Sequence, residues 1–215
     1  RRQRQMCIRD RFYSINNIYF DTENNDLIRT SIDKPAYKEK LRLRSYGVPE
    51  FNDIVFLEIK KKYNGIVNKR RTLLKLNQAY DFLFDGIMPS EGDYLNAQVL
   101  KELKFFMEFY NPVAKLFLAY DRVAMFGKDD ENLRITADRN IRTRRDDLRL
   151  EDGDYGDKLL QDGQVLIEIK TASSFPVWLV DILTELDMKG TSFSKYGTEY
   201  RQFMDNTLQK RGAIC

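Results

Sequence analysis

The 215-residue chain contains no histidine. That removes imidazole acid–base chemistry, serine–histidine triads and most zinc sites. Its two cysteines, Cys7 and Cys215, stand near opposite ends and suggest no disulfide framework. No run of 18 apolar residues occurs, so no membrane-spanning helix is expected. No charged-then-apolar leader is visible, which points to a cytoplasmic location. Proline and glycine number only 5 and 11, and no linker is long or rich enough in them to split the chain. A large charge of one sign is also missing. The net charge of +3 balances 36 basic against 33 acidic residues, so any basic site must come from local arrangement. With imidazole absent, a bound metal should be a hard ion, Mg²⁺ or Mn²⁺, held by carboxylates and phosphate oxygens.

What the chain does have is alternation. Side chains along a strand point to opposite faces in turn. In Lys38 to Arg44 (KEKLRLR), Lys40, Arg42 and Arg44 therefore share one face, and Leu41 and Leu43 share the other. Leu57-Glu58-Ile59-Lys60 and Ile167-Glu168-Ile169-Lys170 repeat the pattern with a glutamate and a lysine on the polar side. Strands are expected at 15–21, 37–46, 54–63, 66–76, 114–126, 133–141 and 165–171. Asn64-Gly65 should close a hairpin between the third and fourth of these, and Lys69 and Arg71 share a face of the returning strand. Helices are expected at about 77–84 with Asn77 as N-cap, 94–110, 174–186 and 199–208. Residues 142–163 read as a charged loop. Residues 1–11 (RRQRQMCIRDR) show no strand or helix period and are read as a non-native or disordered segment. Residues 12–215 then form a single α+β domain with a large antiparallel sheet.

An ordinary sheet explains the alternation of any one strand, with its greasy side on the core and its charged side in water. Across several strands that account weakens. One parity class collects Lys40, Arg42, Arg44, Lys60, Lys69, Arg71 and Arg134 with few compensating acids. Stacked cations repel unless an anion lies between them. A closed antiparallel β-barrel fits better, charged inside and packed outside against helices. Arginine forks and lysine points inside it would suit phosphate oxygens. Glu58 and Glu168 could help to hold the metal, although both also fit simple pairing with neighbouring lysines. Asp21 and Asp138 read as turn organisers, and Trp178 as part of a core helix face. Binding of nucleic acid is not expected, because the cation-bearing faces carry glutamate where interleaved aromatics would be needed.

Several strings together resemble a known family. They are Ile18-Tyr19-Phe20-Asp21-Thr22, Leu41-Arg42-Leu43-Arg44-Ser45-Tyr46-Gly47, Leu57-Glu58-Ile59-Lys60, Tyr120-Asp121-Arg122, Leu133-Arg134-Ile135-Thr136-Ala137-Asp138, Leu166-Glu168-Lys170 and Ser192-Phe193-Ser194-Lys195-Tyr196-Gly197. They run in family order over nearly the whole chain. The chain thereby resembles the polyphosphate polymerase domain of the vacuolar transporter chaperone (VTC) type, within the triphosphate tunnel metalloenzymes, also called CYTH-like. The resemblance implies an eight-stranded tunnel and transfer of the γ-phosphoryl group of ATP, or another nucleoside triphosphate, to a polyphosphate chain. By motif position it implies that Arg42, Arg44, Lys60, Lys69, Arg71, Arg122, Arg134 and Lys195 bind phosphate, and Lys40 and Lys170, on the same charged strand faces, are read as phosphate-binding with them. Arg42, Arg44, Arg134 and Lys195 would lie nearest the transfer, with Glu168 as the family's glutamate on Mn²⁺ or Mg²⁺ and Glu58 a second metal candidate from its strand face. A triphosphate hydrolase of the same fold, or a non-catalytic module for polyphosphate or inositol phosphates, remains open. The family's first tunnel strand has no counterpart, so that wall is expected to be missing.

Overall fold

Asn64 and Gly65 both adopt positive φ, 44° and 88°, as the tightest two-residue hairpin requires. They join β3 (Ile54–Tyr63) to β4 (Ile66–Lys75), and the pairing runs in register from Tyr63↔Ile66 to Ile54↔Lys75. The structure, a computed structural model, describes residues 6–212 apart from 91 and 93. The remaining elements are β1 (Met6–Asp21), α1 (Asp26–Ile32), β2 (Tyr37–Tyr46), α2 (Leu76–Asp85), α3 (Ala97–Tyr110), β5 (Val113–Gly127), β6 (Arg134–Arg144), β7 (Asp157–Lys158), β8 (Leu166–Lys170), α4 (Val177–Glu185) and α5 (Lys195–Gly212). All strand pairings are antiparallel, in the order β4-β3-β2-β1-β5-β6, with β7 and β8 sharing the outer edge of β6. The α+β class and the large antiparallel sheet are as expected.

Closure is not as expected. The eight-stranded sheet is open, with β4 at one edge and β8 at the other, and no ladder joins them among the described residues. A barrel needs every edge paired. β8 offers only five residues and spends its ladder on β6. The start of the chain also differs from expectation. Residues 6–11 continue β1, with Met6–Arg9 paired to Gly127–Ala124 beyond a register shift between Arg9 and Tyr13. A ladder is made of backbone groups, so a segment without side-chain alternation can still extend a strand. Residues 1–5 lie outside the described residues.

The apolar parity of the first half of the sheet packs outward. Leu41, Leu43, Leu57, Ile59 and Leu74 meet Leu76, Phe82, Leu83, Leu100, Leu103 and Phe106 of α2 and α3 in one buried cluster. Leu133, just before β6, and Ile135 of β6 pack in the same way against Leu179 and Trp178 of α4. On the opposite, concave face, Leu116 and Leu118 of β5 are covered by Tyr196 and Tyr200 of α5 and Ile28 of α1. Helix α5 thus lies across part of the concave face and leaves the polar remainder open. Asp21 organises the turn after β1, as expected. Its carboxylate accepts hydrogen bonds from the backbone N–H groups of Thr22, Leu27 and Ile28 and from the Tyr196 hydroxyl. Asn77 is not the cap of α2. The cap position is two residues earlier, at Lys75, and the helix begins at Leu76.

The stretch read as a charged loop has an internal anchor. Arg144 stacks on Phe117 and Tyr155, 3.5 and 4.2 Å from their ring centroids, and donates to the carbonyls of Asp147, Arg149, Gly153 and Tyr155. One guanidinium with five donors thus satisfies a turn-rich segment that has few backbone partners of its own. Replacing Arg144 with Ala should leave the sheet folded but release residues 147–155. Hydrogen exchange there should rise at least tenfold while β2 and β3 keep their protection.

Candidate functional site

β2 carries Lys40, Arg42, Arg44 and Tyr46 on one face, and the register sets Glu58 opposite Arg42 and Lys60 opposite Lys40. β4 adds Lys69 beside Lys60 and Arg71 beside Glu58. Because the sheet curls, the polar faces of β5, β6 and β8 turn toward the same space. Together they line a cavity of about 480 Å³. All ten cations proposed from the sequence reach it: Lys40, Arg42, Arg44, Lys60, Lys69, Arg71, Arg122, Arg134, Lys170 and Lys195. Glu58 and Glu168 line it too. The charges converge inward even though the sheet does not close.

Two buried carboxylates hold the cations in place. Glu58 is 2% exposed, with Arg42 Nε at 2.6 Å, Lys69 Nζ at 2.7 Å and Arg44 Nε at 3.8 Å. Burial alone would raise its pKa, but Arg42, Arg44 and Lys69 outweigh that and hold it down to about 2. Asp138 is 1% exposed and receives both Nε and Nη2 of Arg122, at 2.6 and 2.8 Å, and Lys195 Nζ at 2.6 Å. Burial acts against this carboxylate as well, yet its pKa falls because Arg122 and Lys195 sit on it. The turn-organising role expected of Asp138 is therefore wrong. It lies within β6, opposite Arg122 in the ladder, with its side chain toward the cavity residues.

The sequence reading missed the neutral groups that surround these cations. Arg44 donates to Asn17 Oδ1 at 3.0 Å, and Arg42 Nη1 lies 3.3 Å from the Tyr19 hydroxyl. Lys195 sits 4.5 Å from the centre of the Tyr120 ring. Tyr19 is buried, which by itself raises its pKa, but the nearby Arg42, Lys40 and Arg44 bring it below the ordinary phenol value. A parity signal was available: Tyr13, Ile15, Asn17 and Tyr19 alternate along β1 and pair with the cation-bearing strands on either side. Lys195 is the first residue of α5, where only a loop was expected before Glu199. Ser194 stands before it and accepts from Gly197 N–H.

Other cations lack such anchors. Arg134 Nε is buried without a hydrogen-bond partner among the described residues, and its guanidinium lies 5.3 Å from the Phe126 ring centroid. Lys60 is pushed below the ordinary lysine value, first by burial and then by Arg42 and Lys170. Lys40 is lowered mainly by burial too, with Lys38, Lys60 and Arg42 adding to it. Crowded, partly desolvated cations of this kind favour an anionic occupant.

These residues set which of them could hold the divalent ion that the resemblance implies. Among the described residues no group of three or more cysteine, aspartate or glutamate side chains could hold a metal. Glu58 does not fit as a ligand, because its carboxylate is already shared among cations. Glu168 does fit. It is half-exposed, lines the cavity and pairs with Lys170 at 3.3 Å, with Lys60 and Arg122 near enough to feel its charge. One carboxylate suffices for Mg²⁺ or Mn²⁺ when phosphate oxygens and water supply the other ligands.

Glu58→Gln should destabilise the protein by about 1.5–3 kcal/mol near neutral pH, the range for a hydrogen bond to a charged group. Glu58 has a folded pKa of about 2 against an ordinary 4.5, so its contribution is complete above 4.5 and is lost as pH falls toward 2. Denaturant titrations across that window should therefore show a shallower acid loss in the Gln variant. An unchanged slope would remove Glu58 as the anchor.

The VTC domain family model matches residues 2–204. Among solved structures, a candidate adenylate cyclase from Bacillus halodurans aligns with TM-score 0.52 at 16% identity, over 85% of this chain and 79% of that one. Another described in the same way, from Vibrio parahaemolyticus, gives TM-score 0.39 at 11% identity over 86% and 73%, too distant to bear on the fold. A search of curated proteins found no match. No helix among the described residues is long and apolar enough to cross a membrane. The first of these solved structures supports the sheet architecture alone; the family assignment rests on the match along nearly the whole sequence, and on it the chain belongs to the VTC domain family.

Proposed function

We propose that the cavity binds the phosphate chain of a nucleoside triphosphate and transfers its γ-phosphoryl group to the end of a polyphosphate. The observation that carries this reading is the imbalance of charge in the cavity. Among the described residues ten cations line it, while its two carboxylates are Glu58, which is already neutralised, and Glu168. Phosphoryl transfer asks mainly for positioning and charge neutralisation. A terminal oxygen of the chain attacks the γ-phosphorus, a new P–O bond forms, the bond to the bridging β–γ oxygen breaks, and a nucleoside diphosphate leaves. Arg42, Arg44, Arg134 and Lys195 would bind and neutralise the oxygens around the transferred group. Lys40, Lys60, Lys69, Arg71, Arg122 and Lys170 would hold the flanking phosphates. Mg²⁺ or Mn²⁺ on Glu168 would add neutralisation of the phosphate oxygens. The scarcity of free carboxylates favours this reading over hydrolysis, which needs groups to hold and activate water.

With Mn²⁺ and ATP the protein should form polyphosphate and ADP, separated on gels and by phosphorus NMR. Release of orthophosphate without polymer would mean a hydrolase. Tight binding without turnover would mean a binding module. Cyclic AMP and pyrophosphate would instead match the activity by which the Bacillus halodurans protein is described.

Arg134 gives the cleanest test of the lining, since its Nε has no hydrogen-bond partner to leave stranded. Arg134→Ala should weaken tripolyphosphate binding by about 1.5–3 kcal/mol, the worth of a charge-assisted hydrogen bond, with little change in stability. Calorimetry and thermal melting would measure the two. Normal binding by Arg134→Ala would take Arg134 out of the site.

A further inference from the structure

Helix α5 runs on past the body of the protein. Tyr196, Glu199 and Tyr200 are buried, but every residue from 201 to 209 is exposed except Thr207, which is half-buried. Helices in proteins owe most of their stability to the packing of one apolar face, so this second half of α5 has little within its own chain to hold it. Its apolar residues are not scattered. Tyr200, Met204 and Leu208 recur at every fourth position and form one stripe. Met204 and Leu208 on that stripe are 37% and 60% exposed. Phe203 flanks the stripe and is partly covered by the Arg145 guanidinium, 3.8 Å from its ring centroid. Between α1 and α5 lies a groove of about 400 Å³, whose apolar lining is Ile32, Tyr200 and Met204.

Charges frame this groove in pairs. Arg29 and Asp33 come from the α1 side, and Arg201 and Asp205 from α5. Each side thus carries one cation and one carboxylate, a helical turn apart. Among the described residues, no ion pair engages any of these four side chains within the chain. An acidic partner would set both carboxylates against like charge, and a basic partner would do the same to both cations. A surface with both signs in equal number beside an apolar stripe is matched best by its own copy. When a helix meets its copy antiparallel about a two-fold axis, residues equally far on either side of the axis come opposite each other. Arg201 and Asp205 stand two positions either side of Phe203, and Met204, the middle of the stripe, is the next residue. An axis passing there sets Arg201 of each copy against Asp205 of the other. The two stripes then cover each other, and Leu208 of the second copy lies along Tyr200, over the groove at Ile32. We infer that α5 is the seam of a homodimer, formed by antiparallel packing of residues 200–208 on the same residues of a second copy. The seam is only two to three helical turns long, so the dimer is a reversible one. It needs no phosphate ligand and is independent of the chemistry of the main cavity.

Analytical ultracentrifugation of the whole chain over a range of concentrations tests it. The unaltered protein should sediment as a monomer–dimer equilibrium, and rising salt should shift it toward monomer. Arg201→Glu and Asp205→Arg should each raise the dissociation constant at least about tenfold, because each sets like charges together at both symmetry-related contacts. Leu208→Ser should weaken the dimer as well, with the thermal melting of the monomer unchanged, since that side chain is exposed in the single chain. Mixed in equal amounts, the Arg201→Glu and Asp205→Arg chains should regain the dimer, because each then supplies the charge that the other lacks. A monomer at every concentration overturns the seam. So does a dimer that survives both charge substitutions or ignores Leu208→Ser. Two charge variants that stay monomeric when mixed overturn the antiparallel pairing.

Discussion

Like charges crowded on one concave surface are the constraint around which this molecule is built. Arg42, Arg44 and Lys69 can share a wall only because Glu58 lies buried among them, and Arg122 and Lys195 can share another only because Asp138 does the same. Each carboxylate is withdrawn from water and so costs desolvation energy, which its cationic neighbours offset. The result is a set of guanidinium and ammonium groups fixed in position before any ligand arrives. Arg134, Lys60 and Lys40 have no such anchor, and the partial desolvation of the two lysines leaves that part of the cavity short of negative charge.

Positioning of this kind depends on the layers behind it. The strands can turn their charged sides inward because their apolar sides pack on α2, α3 and α4. Helix α5 has a double role. Tyr196 and Tyr200 cover Leu116 and Leu118 on the concave face, and the first residue of the helix, Lys195, reaches into the cavity. The hydrogen bond from Tyr196 to Asp21 ties that helix to the turn after β1. The closing helix and the turn before α1 thereby share one buried carboxylate, although 175 positions separate them.

The inward ring of cations was legible before any coordinates because strand parity is a strict rule. Lys40, Arg42 and Arg44 cannot point apart while Leu41 and Leu43 point together, and the register of the Asn64-Gly65 hairpin then places Lys69 and Arg71 on the same wall. Other features were not legible. Asp138 was read as a turn residue because a lone acid in a strand carries no sign of its partners. Those are Arg122, 16 positions away, and Lys195, 57 positions away. Glu58 reads both as a partner of neighbouring lysines and as a metal ligand, because a Glu-x-Lys string does not reveal how many cations will surround the carboxylate. Tyr19, Tyr120 and Tyr46 were overlooked because aromatics in strands serve cores more often than sites.

By itself, the sequence determined the central part of each long strand, which side of it is charged, where the chain turns at Asn64-Gly65, and that imidazole takes no part in the chemistry. These follow from local geometry, which needs no knowledge of distant neighbours. Only the tertiary structure decided that the sheet stays open between β4 and β8, that residues 6–11 extend β1, and which carboxylates are neutralised. Edge closure, ladder extension and ion pairing depend on groups far apart in the chain, and their outcome is set by how the whole sheet curls.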